Sequence, residues 1–330
     1  MDQKLEQIIL DSTDAETAEL GETIASLWSG YGEIVRVNLK GGVTESVVLK
    51  HVRFPTERNH PRGWHSDRSH ERKVKSYEIE MAWYHDWSVR CGGVCRVPKC
   101  YASETIEEDH LMILEDLDAA GFPLRKSSLS KPEVFLCLTW LANFHATFMD
   151  ESPADLWEIG TYWHLATRPD ELAAMEDATL RQAAPVMDKM LNSCQFQTLI
   201  HGDAKVANFC FSEDEGHVDS QRVAAVDFQY VGGGCGMKDV AYFLGSCLDE
   251  TLQEGWEAEC LDVYFDALEK SLKIHNKVVD MVILAAEWRM MFPIAQADFY
   301  RFLVGWMPTH WKINDYSKRV ALNVLSELGI

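Results

Sequence analysis

Val35, Val37 and Leu39 alternate with Ile34, Arg36 and Asn38, the period of two that predicts a half-buried strand. Gly41-Gly42 marks a turn, and Thr44–Val52, β-branched and alternating, predicts a second strand that ends near Lys50. Upstream, residues 1–28 read as helical and acidic, with apolar positions at Leu5, Ile8 and Ile9. Residues 55–73 are polar and rich in His, Arg and Ser, and predict a mobile loop. From Ser69 to Arg90 the period becomes helical, with Tyr77, Glu80, Tyr84 and Trp87 on one face. Residues 94–101 and 110–114 predict two further strands, and Glu115-Asp116-Leu117 closes this half. Helical patterns follow over Leu129–Met149, with Pro132 in the first turn, and over Pro169–Ser193. A strand, an acidic turn and a strand are expected between Asn208 and Asp227, then helices over 237–273, 275–292 and 294–328. Strands cluster before residue 118 and helices dominate after it. The pattern predicts an α+β chain with a small strand-rich lobe at 1–117 and a larger, mainly helical lobe at 118–330.

The 330 residues are 47% hydrophobic, enough for a substantial core. The 31 basic and 52 acidic residues give a net charge of −21, which argues against nucleic acid or an anionic membrane surface as partner. It weakly favours a neutral or cationic small molecule. Exposed charges are screened beyond about 8 Å at physiological salt, so local basic groups can still dominate a pocket for a polyanion. Nine cysteines stand at irregular spacings without a C-x-x-C pair, and MDQKLEQIIL lacks the basic start and apolar run of a signal peptide. The longest apolar stretch, near MVILAA, is far too short to span a membrane. A reducing, cytoplasmic setting with free thiols is expected.

The chemistry concentrates in HGDAKVAN at 201–208 and VDF at 226–228. His201, Asp203 and Asn208 keep the spacing of the protein-kinase catalytic loop H-R-D-L-x-x-x-N, with Gly202 in place of its Arg and Gln229 in place of the Gly of D-F-G. Phosphoryl transfer needs a carboxylate at the attacking hydroxyl, here Asp203, and oxygen ligands for magnesium, here Asn208 and Asp227. The competing reading makes Asp203 and Asp227 ordinary turn residues. Lys50 ends VVLK, where an unpaired buried charge would be costly, so it is expected to contact phosphates and pair with a helix glutamate. Glu80 shares a face with Tyr77 and Tyr84 and is the preferred partner, with Glu78 as its rival; the alternative has Lys50 on an edge strand, snorkelling to water. Gly30 and Gly32 in SGYGEIV allow backbone N–H groups to approach phosphates, although Val35 stands where G-x-G-x-x-G has its third glycine. No G-x-x-x-x-G-K-[ST] occurs. Glu115 to Leu117 would offer backbone to adenine. Asp239 either hydrogen-bonds the catalytic loop or caps its helix.

His60, His65 and His70 recur every five residues, which aligns them on no helix face and suits a polar loop. Cys91, Cys95 and Cys100 with His110 lack the paired knuckles of structural zinc. The aromatic tail, from Trp288 to Trp311, should be helix packing, with Asp298, Arg301 and His310 as polar candidates for an acceptor pocket.

LWSGYGEIVRV, VVLK, SYEIEMAWY, LMILEDL, LANFHA, LIHGDAKVANFCF and VAAVDFQ together resemble the aminoglycoside phosphotransferase and choline kinase superfamily, most of all its ecdysteroid-kinase-like (CHK-type) branch. The resemblance runs from residue 27 to about 245. It implies a protein-kinase-like fold and ATP- and Mg²⁺-dependent phosphorylation of a hydroxyl on a small molecule. It carries Asp203 over as base, Asn208 and Asp227 as magnesium ligands, and Lys50 with Glu80 as the phosphate-positioning pair. A catalytically silent, nucleotide-binding pseudokinase that acts as a scaffold is the alternative, and a metal-dependent hydrolase using His201, Asp203 and Asp227 is a third. No A-P-E-like segment follows Asp227, which argues against a protein kinase.

Overall fold

The structure, a computed structural model, describes residues 1–27, 30–54, 67–213 and 221–330. The first half contains α1 (Gln3–Thr13), β1 (Thr17–Ser26), β2 (Gly32–Lys40), β3 (Ser46–Val52), α2 (Asp67–Ala82), β4 (Cys100–Ile106) and β5 (Asp109–Glu115). Then come α3 (Lys131–Thr147), α4 (Pro169–Ala174), α5 (Ala178–Ser193), β6 (Thr198–Ile200), β7 (Phe209–Phe211), β8 (Val223–Ala225) and β9 (Gly232–Gly234). The chain ends with α6 (Met237–Cys247), α7 (Glu250–Ile274), α8 (Met281–Trp306) and α9 (Asp315–Glu327). These elements form two compact units. One holds Met1–Gly92, Arg96–Leu124 and Cys210–Gln229; the other holds Gly93–Cys95, Arg125–Phe209 and Tyr230–Ile330.

In the first unit, five described strands make an antiparallel sheet in the order β1-β2-β3-β5-β4. Val37 and Leu39 of β2, Val47 and Leu49 of β3, and Leu111 and Ile113 of β5 form one apolar face, which Leu5 and Ile9 of α1 cover. Alternation then turns Lys50 to the opposite face, in register with Ile34 on one side and Met112 on the other. Lys50 is therefore on a central strand and not an edge.

The expected helix over residues 1–28 is cut short. Asp14 takes a left-handed conformation (φ 53°) after Thr13, and residues 17–26 form the edge strand β1. Nearly every side chain of β1 is exposed, so no apolar alternation marks it. The expected strand at 94–101 begins only at Cys100. Gly93–Cys95 is a 3-10 turn, and Pro98 has no N–H for a ladder. The loop proposed for 55–73 lies outside the described residues as far as residue 66, together with His60 and His65, and α2 already begins at Asp67. The acidic turn at 214–220 also lies outside them.

In the second unit, Ser130 and Glu133 close a capping box on α3, with Pro132 in its first turn. The helical region at 169–193 breaks before Asp177, whose carboxylate accepts the Thr179 and Leu180 amides and starts α5. The break expected at Pro293 is absent and α8 runs through it. A mid-helix proline costs about 3 kcal/mol. Burial of Trp288, Phe292, Ile294, Phe299 and Phe302 on the same helix offsets that cost. Among the described residues no helix is long and apolar enough to cross a membrane.

Candidate active site

β6 is fully buried and pairs with β9, Ile200 opposite Gly232. Its end delivers His201 into the loop that carries HGDAKVAN. Gly202 has φ 78°, and a Cβ there would stand 2.0 Å from the Tyr230 carbonyl oxygen, so no other residue fits. Asp239, in the first turn of α6, accepts the His201 amide at 2.6 Å and the Gly202 amide at 2.9 Å. The same carboxylate faces His145 Nε2 at 3.2 Å, and His145 Nδ1 is 2.8 Å from the Tyr264 hydroxyl. Asp239 thus holds the loop, and the cap position of α6 belongs to Gly236.

Asp203 sits in this loop, buried. Its Oδ2 accepts from Lys205 Nζ at 2.8 Å and Asn208 Nδ2 at 3.2 Å, and its Oδ1 accepts from the Tyr242 hydroxyl at 3.1 Å. Asn208 Nδ2 also donates to the Asp203 carbonyl at 2.8 Å. With its nitrogen so used, the side-chain group of Asn208 that remains is its amide oxygen, an acceptor. Burial, reinforced by the charge of Asp203, raises the Tyr242 hydroxyl well above its ordinary pKa, so it stays protonated and donates. Lys312 Nζ lies 4.6 Å from the Tyr242 ring centroid and 5.4 Å from that of Phe299.

In the first unit, Lys50 and Glu80 form a buried ion pair at 2.6 Å, and Asp227 Oδ1 lies 3.8 Å from the same ammonium. Glu78 is exposed, so Glu80 is the lysine's partner. Burial pushes the Glu80 carboxyl above its usual range, Lys50 pulls it back, and Asp227 adds to the rise. Asp227 has φ 70°, a left-handed conformation. Phe228 stacks on Trp83 at 4.5 Å between centroids, and Gln229 accepts from Lys73 at 2.7 Å and Ser76 at 3.3 Å. Gln229 therefore ties the VDF segment to α2, which a glycine could not do. The donors of Asn208 and Asp227 are an amide oxygen and a carboxylate, each of the type magnesium takes.

Gly32 also has a local reason. At φ 118° its Cβ would lie 2.0 Å from the His51 carbonyl oxygen, so β3 itself demands a glycine. Gly30 has φ 76° with open space around it, and its N–H donates to the Leu27 carbonyl at 3.3 Å. The intervening approach, Trp28 and Ser29, lies outside the described residues. Glu115 ends β5 with its carboxylate held by Arg96 and the Lys99 amide, while Leu117 packs with Phe122, Cys210 and Ala224. Of the tail candidates, Asp298 and Arg301 close on each other inside the core at 2.5 Å. His310 Nδ1 accepts the Lys312 amide at 3.1 Å. The side chains not anticipated are Lys205, Tyr242 and Lys312. Lys205 lies within the motif and Tyr242 three residues after Asp239, so both have a local signal; Lys312 has none. Among the described residues no group of three or more His, Cys, Asp or Glu is gathered as a metal-binding cluster.

The structure is similar to that of a microcompartment-associated aminopropanol kinase, with 16% identity, TM-score 0.53, and coverage of 97% of this chain and 94% of that one. An aminoglycoside-3'-phosphotransferase of type VIII matches at 14% identity and TM-score 0.42, over 83% of this chain and 92% of that one. No curated protein matches the chain. The fold is the α+β, protein-kinase-like fold. The family model for the ecdysteroid kinase-like family matches residues 93–156 and 147–277, more than half of the sequence, and the chain belongs to that family.

Proposed function

We propose that the chain is a kinase that uses ATP and Mg²⁺ to phosphorylate a hydroxyl group on a small molecule in the cytoplasm. The observation that carries this reading is the buried pair of Lys50 on the central strand with Glu80 of α2, with Asp227 at its side. A buried ion pair gains little net stability over apolar packing, so its place in the sheet calls for a chemical reason. Positioning ATP phosphates is that reason. Gly30 and Gly32 line the turn over the phosphates, and the backbone from Glu115 to Leu117 receives adenine. On this reading residues 1–117 serve the nucleotide and residues 118–330 serve catalysis and the acceptor.

Asp203 orients the acceptor hydroxyl and takes its proton as the acceptor oxygen bonds to the γ-phosphorus. The bond from that phosphorus to the β,γ-bridging oxygen breaks, and its electron pair leaves with ADP. Tyr242, Lys205 and Asn208 hold the Asp203 carboxylate in one orientation, and Asp239 holds the loop beneath it. Asn208 and Asp227 would hold magnesium, which when bound neutralises the phosphate oxygens. Asp203→Asn should lower turnover roughly 100- to 10,000-fold while ATP affinity by calorimetry stays within about twofold. Wild-type turnover in that variant would remove Asp203 as the base. Product mass shift over a broad alcohol panel identifies the acceptor.

A further inference from the structure

Lys312 lies in the connection between α8 and α9, half-buried. Its ammonium stands over Tyr242 at 4.6 Å, Phe299 at 5.4 Å and Trp311 at 5.5 Å, measured to ring centroids. Tyr242 is the residue whose hydroxyl donates to Asp203. Aromatic faces compensate a desolvated cation but offer its N–H groups no lone-pair acceptor. Among the described residues the Lys312 ammonium has no hydrogen-bond acceptor and no ion-pair partner. Removal from water lowers its pKa from 10.5 to about 8, against the pull of the Asp203 charge. Lys205 adds a second ammonium, 2.8 Å from Asp203 Oδ2. Two ammonium groups, those of Lys205 and Lys312, therefore act on Asp203, in a chain whose overall charge is −21.

We propose that Lys312 determines acceptor specificity: its ammonium fills the aromatic cage beside Asp203 and donates to an oxygen of the acceptor, so the alcohol bound there is uncharged or anionic and not an amine. The proposal rests on the kinase reading for the identity of the Asp203 site. A cationic nitrogen brought to the same rings would find them occupied and would meet Lys312 and Lys205 as like charges. An acceptor oxygen would give the Lys312 donors the partner that the protein does not provide. The net acidity of the chain, which by itself weakly favours a neutral or cationic acceptor, is overridden here by two local lysines.

The test compares the full chain with Lys312→Met and Lys312→Arg on matched alcohols that differ in a cationic nitrogen. The pairs are choline with its tert-butyl carbon isostere, and glucosamine with glucose, with glucuronate as the anionic member. Binding is read by tryptophan fluorescence, turnover by product mass, and ATP affinity separately by calorimetry. The wild type should prefer the member without the cationic nitrogen by at least about tenfold in binding. Lys312→Met should erase that preference through acceptor binding, with ATP affinity unchanged, and Lys312→Arg should retain it. Preference of the wild type for amines, an unchanged ratio in Lys312→Met, or binding of none of these alcohols would overturn the proposal. Selective binding without turnover of any alcohol would sink the kinase reading and leave the role of Lys312 standing.

Discussion

The Tyr242 hydroxyl donates to Asp203 Oδ1 at 3.1 Å, and it joins α6 to the loop that α6 also holds through Asp239. One helix therefore sets both the backbone of the loop and the direction of its carboxylate. A hydrogen bond to a charged group contributes roughly 1.5–3 kcal/mol. Tyr242→Phe should lower kcat roughly 10- to 100-fold and leave ATP affinity unchanged. Steady-state kinetics with calorimetry for ATP checks this, and an unaltered kcat would show that Asp203 is oriented without it.

Asp239→Asn should weaken the fold and the chemistry together. An amide presents one acceptor oxygen where the carboxylate receives two backbone N–H groups, so one buried amide loses its partner. The cost is on the order of 1–3 kcal/mol. Denaturant titration should show this loss, and kcat should fall while ATP binding is retained.

Lys50→Met should raise the KM for ATP at least roughly tenfold if Lys50 positions phosphates. It also leaves Glu80 buried beside Asp227 without its cation. The Glu80 carboxyl, already raised by burial, then rises further. A carboxyl raised in the folded state gives stability that is present below its unfolded pKa and is lost as pH rises through its folded pKa. The melting temperature of Lys50→Met should therefore fall relative to wild type as pH rises above the ordinary glutamate range. A constant difference over that rise would show that Glu80 is not the group left exposed to the change.

The opposite sign holds at Asp116. Burial would raise this carboxyl, but hydrogen bonds from Arg36 and Ser46, with the Arg36 charge, outweigh burial and hold it below its usual range. Stability from such a group is present above its unfolded pKa and disappears as pH falls through the folded one. Arg36→Met should be less stable than wild type at neutral pH, and the gap should close below about pH 4. Melting curves from neutral to acid pH measure it.

The sequence is most legible where the signal is local. Val35, Val37 and Leu39 announce β2 because one face of that strand is buried and the other is not. The inward face of α2 likewise favours Glu80 over Glu78 as the partner of Lys50. The spacing of His201, Asp203 and Asn208 is visible because one short loop carries all three. β1 escapes because it lies at the edge with its side chains in solvent. β9 escapes because Gly232–Gly234 has no side chains to alternate, and its pairing is possible only because it has none: a Cβ on Gly232 would lie 2.2 Å from the Trp157 carbonyl oxygen. Lys312 escapes because more than a hundred residues separate it from Asp203, and no period in the chain reports a contact at that range.

The left-handed backbone at Asp227 bears on how the protein can age. An Asp at φ 70° carries a backbone cost that glycine does not, and its charge adds to the burden on Glu80 while Lys50 stands 3.8 Å away. If Asp227 holds magnesium as proposed, a diverged copy that has given up phosphorylation should lose its aspartate here early, which makes residue 227 a sensitive place to tell a working descendant from a silent one.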